Sequence, residues 1–238
     1  MPNPSALPKP RNDTYRPEIT RLPELNEKRL RARARAQKNC LWVIRALTRS
    51  EVHGLEYFPA QGPALIVANH LGDADTVLGV AYLPVAADGM GKVELYDVPL
   101  IGRWMENYGI IWVHRGQPDR RAIRAALDGL AENRFVVIAP EARQSVTGSL
   151  EEGTGGAAYI ALKADVPVIP MAFVGTENSN VFPNLLRFRR PHVSLSFGKP
   201  FRLEQLPDRK AAIEAGTEQI MRALADILPP AYRGVYES

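Results

Sequence analysis

The sequence predicts an α/β fold: a largely parallel central sheet with helices on both faces, preceded by a long N-terminal helix that is basic and amphipathic. Three observations carry this. The runs "ALIVAN", "GIIWVHR", "RFVVIAP", "VPVIPMAFVG" and "HVSLSFG" are short, apolar or β-branched, and of strand type. Interleaved with or following them, "DADTVLGVAYL", "DRRAIRAALDGLAEN", "GGAAYIALKAD" and "DRKAAIEAGTEQIMRALADIL" are helix-type. Strands that alternate with helices form a parallel sheet buried on both sides.

In chain order, residues 1 to about 24 hold Pro2, Pro4, Pro8, Pro10, Pro17 and Pro23, and predict an extended or disordered arm. Residues 25–50 predict the long helix, with Leu30, Ala34, Leu41 and Ile44 at helical spacing. Its first half is basic (Lys28, Arg29, Arg31, Arg33, Arg35, Lys38) and its second half apolar (Leu41, Trp42, Val43, Ile44, Leu47). Two readings stand: a solvated helix packed on the core, or an interfacial helix whose cations meet lipid phosphates while Trp42 enters the acyl boundary. Residues 51–238 read as one domain. Within it Asp119 is expected to cap a helix and Asn133 to end it.

A chain of 238 residues, 45% hydrophobic, can bury a sizeable core. Its net charge of +4 and pI near 9.3 favour anionic partners. Cys40 is the single cysteine, which excludes intramolecular disulfides and cysteine-based metal sites. The N-terminus lacks an apolar signal core, and "TVLGVAYLPVAA", broken by Pro84, is too short to span a membrane. A cytoplasmic protein, peripheral on the inner face of the membrane, is expected.

No nucleophile elbow, P-loop or dinucleotide fingerprint occurs. The basic segment lacks interleaved aromatics, so no nucleic-acid partner is expected. Chemistry therefore falls to residues at strand ends, where sites of such sheets lie: His70, Arg115 and Glu141. His70 is followed by Asp73 and Asp75 in "NHLGDAD". A metal site of these three lacks a further ligand with suitable spacing, so no metal is expected. As a dyad, the imidazole takes a proton from a substrate hydroxyl and a carboxylate on the other ring nitrogen fixes the tautomer. Asp75 can do this from the first turn of the next helix. Asp73 competes for the role, or caps that helix.

"NHLGDAD" resembles the N-H-x-x-x-x-D motif of the glycerolipid (1-acylglycerol-3-phosphate) acyltransferase family. Three blocks resemble that family's in the same order: "ELYDVPLIGRWMENYGIIWVHRG", "IAPEARQS" and "ADVPVIPMAFVGTE". "VSLSFGKPF" resembles its closing strand, so the similarity runs from about Gly54 to Phe201. Departures are Gly72 where serine is frequent, His114 in place of an aspartate, and Ala142, Arg143 and Gln144 where the family has Gly-Thr-Arg. Thr154 and Gly155 replace a basic pair.

The resemblance implies direct acyl transfer in an acyltransferase domain over residues 51–238. His70 is the general base and Asp75 orients it. Arg115 and Arg143 bind the phosphate of a lysophosphatidate-like acceptor, with Arg143 standing in for the family's later arginine, and Glu141 shapes the loop. An arginine fork suits phosphate. Acyl-CoA or acyl-ACP is the implied co-substrate, with no cofactor, and an anionic membrane surface the implied partner. Two alternatives remain: acyl transfer to another lipid or glycolipid hydroxyl, and a non-catalytic lipid-binding protein of the same fold.

Overall fold

The computed structural model describes residues 15–116 and 118–237. Residues 1–14, with the first four prolines of the expected arm, lie outside the described residues.

Seven strands form one sheet in the order β1-β7-β6-β2-β5-β3-β4: β1 (Arg49–His53), β2 (Ala64–Ala68), β3 (Asp88–Lys92), β4 (Ile111–Val113), β5 (Phe135–Ile138), β6 (Val168–Val174) and β7 (His192–Phe197). Every pairing is parallel except β6–β7. Because β7 and β1 run against the rest, both start at the edge where β2, β5 and β6 end. The helices are α1 (Glu27–Leu47), α2 (Ala74–Tyr82), α3 (Ile101–Tyr108), α4 (Arg120–Ala131), α5 (Gly155–Ala164), α6 (Asn178–Leu186) and α7 (Arg209–Asp226). They cover both faces, and β2 shows it residue by residue. Leu65 and Val67 pack with α4, α5 and α7, whereas Ala64, Ile66 and Ala68 pack with α1 and α2.

The sequence singled out five of these strands by their apolar runs. It did not single out β1, β3, α3 or α6. The segment "DGMGK" of β3 has two glycines and two charges, which local propensity does not read as a strand. It is one because β4 and β5 pair with it on either side. At Gly91 an added Cβ would meet Ile110 Cδ1 at 2.4 Å and Met105 Cε at 2.8 Å, so both side chains pack close over this glycine. Asp88 is fully buried there and pairs with Arg33 and, at 3.5 Å, with Arg134.

That pairing rotates α1 away from its expected stripe. The residues it buries are Arg33, Ala36, Cys40 and Ile44; Leu30 and Ala34 are exposed. Of the anticipated stripe only Ile44 is buried and Leu41 half-buried. Arg33 is drawn inward by Asp88 and by the carbonyls of Tyr108 and Gly109, at 2.9 and 2.8 Å. The Asn26 side chain caps the helix by accepting from Arg29 N at 3.0 Å. Asp119 caps α4 as expected, through Arg121 N and Ala122 N, and Asn133 ends the segment at φ +59°.

Candidate active site

The site begins with a clamp. Asn69, buried just past β2, donates to Phe173 O at 2.9 Å and accepts from Phe173 N at 2.7 Å. This fixes the end of β2 against β6, and the next residue is His70. Its backbone is held from the other side by the loop after β5: Ser145 N donates to His70 O at 2.7 Å, and His70 N donates to Glu141 at 3.4 Å.

His70 Nδ1 lies 2.7 Å from Asp75 Oδ2. The same oxygen accepts Leu71 N–H at 2.7 Å and Gly72 N–H at 3.0 Å. Asp75 is 3% exposed and sits in the first turn of α2, where helix dipole and backbone donors favour an anion. With its partner an acceptor of three hydrogen bonds, the proton of a neutral His70 is assigned to Nδ1. Nε2 then carries the lone pair. No protein group among the described residues hydrogen-bonds it.

Asp73 occupies the N-cap position of α2, but its side chain does not cap the helix. Instead it accepts from Asn178 Nδ2 at 3.2 Å and Gln144 Nε2 at 3.1 Å, tying α2 to α6 and to the loop after β5. The two aspartates thus have different partners, His70 for Asp75 and the α6 and loop amides for Asp73. Asp75→Asn is expected to lose most of the roughly 10²–10⁴-fold that general-base catalysis supplies, and Asp73→Asn little. Turnover at saturating substrates checks this; an inactive Asp73 variant beside an active Asp75 variant would reverse the assignment.

His70, Asp75 and Arg115 line one cavity of 170 Å³. The rest of its wall is mostly apolar: Val80 and Leu83 from α2, Met90 from β3, Trp104 and Tyr108 from α3, and Phe173 from β6. Among the described residues Arg115 is its single Lys or Arg, just past the end of β4. Burial lowers the pKa of Arg115 from the ordinary arginine value, and the nearby Glu94 carboxylate opposes that shift. Glu94 Oε2 is itself buried without a hydrogen bond among the described residues. Its place in the "EL" of the second block was the one signal in the sequence for a charge beside Arg115.

Glu141 and Arg143 do not line the cavity. Arg143 is 5% exposed and its Nε and Nη2 both lie 2.6 Å from Glu151 Oε2. Glu151 N donates to Glu141 Oε2 at 2.9 Å, and Val146 N to Glu151 Oε1 at 2.8 Å. The sequence expectation has Arg143 meet a substrate phosphate; in this structure a buried carboxylate eight residues later in the chain pairs with it. Glu141 accepts from both His70 N and Glu151 N and so joins the histidine backbone to this loop.

A second histidine repeats the spacing of the first. His114 Nδ1 is 2.7 Å from Asp119 Oδ2, the same five-residue offset as His70 and Asp75. Its environment differs. His114 is 4% exposed, and its Nε2 accepts Arg16 N–H at 2.9 Å from the segment running over it before α1. Burial opposes ionisation of Asp119, but hydrogen bonds from His114 and Ala122 hold its carboxyl below the usual range. With both ring nitrogens engaged, this pair fastens the N-terminal segment rather than facing a substrate.

The sequence model of the Acyltransferase family matches residues 49–174, over half of the 238-residue chain. The chain belongs to the Acyltransferase family. Membership makes it an enzyme of the O-acyltransferase class. The 1-acyl-sn-glycerol-3-phosphate acyltransferase of Bacillus subtilis is 28% identical over 195 residues, 79% of this chain and 94% of that protein. A chloroplastic enzyme of that name from Brassica napus, BAT2, is 27% identical over 57% of this chain and 41% of its own length. The mouse enzyme alpha is 29% identical over 52% of this chain and 44% of its own. The matches thus span less than half of the plant and mouse relatives. Among solved structures, the 1-acyl-sn-glycerophosphate acyltransferase PlsC of Thermotoga maritima shares the fold. It has a TM-score of 0.63 at 21% identity, over 85% of this chain and 83% of that one.

Proposed function

We propose that this acyltransferase moves a fatty acyl group from acyl-CoA or acyl-ACP to the free hydroxyl of a lysophosphatidate-like acceptor, giving phosphatidate in phospholipid synthesis. The observation that carries the reading is the free lone-pair side of His70 in a mostly apolar cavity that also contains Arg115. Nε2 takes the hydroxyl proton as the acceptor oxygen attacks the thioester carbonyl. Collapse of the tetrahedral adduct breaks the C–S bond, and the imidazolium returns its proton to the departing thiolate. Asp75 stays a carboxylate, holding the ring and stabilising its charged form. The apolar wall suits an acyl chain, and the Arg115 guanidinium suits the acceptor phosphate. No cofactor enters this scheme; the thioester carries the activation. The reaction is assigned to the inner face of the membrane, with the protein peripheral. Among the described residues no helix is long and apolar enough to cross a bilayer.

Arg115→Ala tests the acceptor. It should raise the KM for lysophosphatidate about ten- to a hundred-fold, the loss expected for one charge-assisted hydrogen bond, and barely alter donor use. Steady-state kinetics with lysophosphatidate and monoacylglycerol check this, because the second lacks the phosphate. One observation favours a second reading, acyl transfer to another lipid or glycolipid hydroxyl: with Arg143 buried elsewhere, the cavity offers a phosphate only one cation. Equal losses on both acceptors would move the assignment there.

A further inference from the structure

Two segments far apart in sequence meet beside the site. Arg190, after α6, donates to Arg45 O at 2.6 Å and to Thr48 O at 3.0 Å, tying the α6–β7 turn to the last carbonyls of α1. Both segments stand at the edge where β2 and β6 end, because α1 leads into β1 and the turn leads into β7. His70 lies on that edge, and Asn178 at the start of α6 holds Asp73. The nine-residue α6 spans about 13 Å.

The joined surface is apolar and cationic together. Phe188 is 100% exposed, Leu186 81% and Trp42 72%. Phe188 also stands at φ +53°, a helix-end position that usually goes to glycine. Around these lie exposed Arg187 and Arg189 on the turn, and Arg35, Lys38 and Arg45 on the same face of α1 as Trp42. Residues 28–50 and 178–203 contain no acidic side chain. Large apolar groups ringed by cations complement an anionic bilayer, where aromatic and aliphatic tips enter the acyl boundary and cations meet lipid phosphates.

We propose that the α6–β7 turn and the exposed face of α1 form one docking surface for an anionic lipid bilayer, with Leu186, Phe188 and Trp42 inserting. This rests on the proposed reading that the acceptor is a membrane lipid. The partner is the bilayer itself, read through its charge and apolar interior rather than through one headgroup.

Flotation of the full chain with vesicles tests it, using phosphatidylcholine alone or mixed with phosphatidylglycerol, at low and high salt. The intact chain should partition onto the mixed vesicles and be weakened by salt. Leu186→Ser with Phe188→Ser should lower partitioning about ten-fold. Trp42→Ser should act in the same direction, and Arg187→Glu with Arg189→Glu should cost about ten-fold or more and flatten the salt dependence. Melting curves of these surface variants should match the parent's. Turnover of the Leu186/Phe188 variant on a dispersed short-chain acceptor should also match, which separates docking from catalysis. The proposal is overturned if that variant floats like the parent or if both vesicle types bind equally. It is also overturned if the parent is a dimer in solution that the substitutions make monomeric, since a second copy would then cover the patch.

Discussion

His70→Ala should reduce acyl transfer by roughly 10²–10⁴-fold, the worth of a positioned general base, and leave the fold in place. His70 is partly exposed at a strand end, so its removal opens no core cavity. What remains is an acceptor hydroxyl with nothing to take its proton, since His114, the other histidine with a paired aspartate, has both nitrogens engaged. Labelled acyl-CoA turnover checks the loss, and a melting curve checks the fold. Retained turnover in a folded His70 variant would remove the general base from the scheme.

Arg143→Ala has the other large expected effect, and it falls on stability. The substitution leaves Glu151, 1% exposed, without its cation, beside the fully buried Glu141. Breaking a buried ion pair from one side costs roughly 3–5 kcal/mol, about 10 °C or more in melting temperature for a chain of this size. From the sequence alone the expected effect of this substitution is a raised acceptor KM. Thermal unfolding together with acceptor kinetics separates the two outcomes, and an unchanged melt with a raised KM would restore the phosphate-binding role.

These two residues mark what the sequence makes legible. His70 and Asp75 are readable because their pairing is local: one loop and the first turn of a helix bring them together, and the offset of five residues is visible in the chain. Arg115 is readable from its place at a strand end. Arg143 is not, because Glu151 competes for it, and nothing in "PEARQS" shows that the loop folds back on itself. The same limit applies to the fold. Strands such as β2 and β6 announce themselves by apolar runs, but β3 is a strand through its neighbours, and its Asp88 is buried only because Arg33 comes from α1, 55 residues earlier. Pro183 hid α6, whose ends now bear on both Asp73 and the proposed membrane surface. The sequence favours Asp75 over Asp73 as the partner of His70 but does not show what holds Asp73, because Asn178 and Gln144 reach it from distant segments.

The most direct test of the acyl-transfer account is product formation by the purified full chain, given labelled acyl-CoA or acyl-ACP with lysophosphatidate on one side and monoacylglycerol on the other. The account predicts labelled phosphatidate, thiol release in equal amount, and much weaker use of the phosphate-free acceptor. Thioester left intact with every acceptor, or equal acylation of the two, would contradict it.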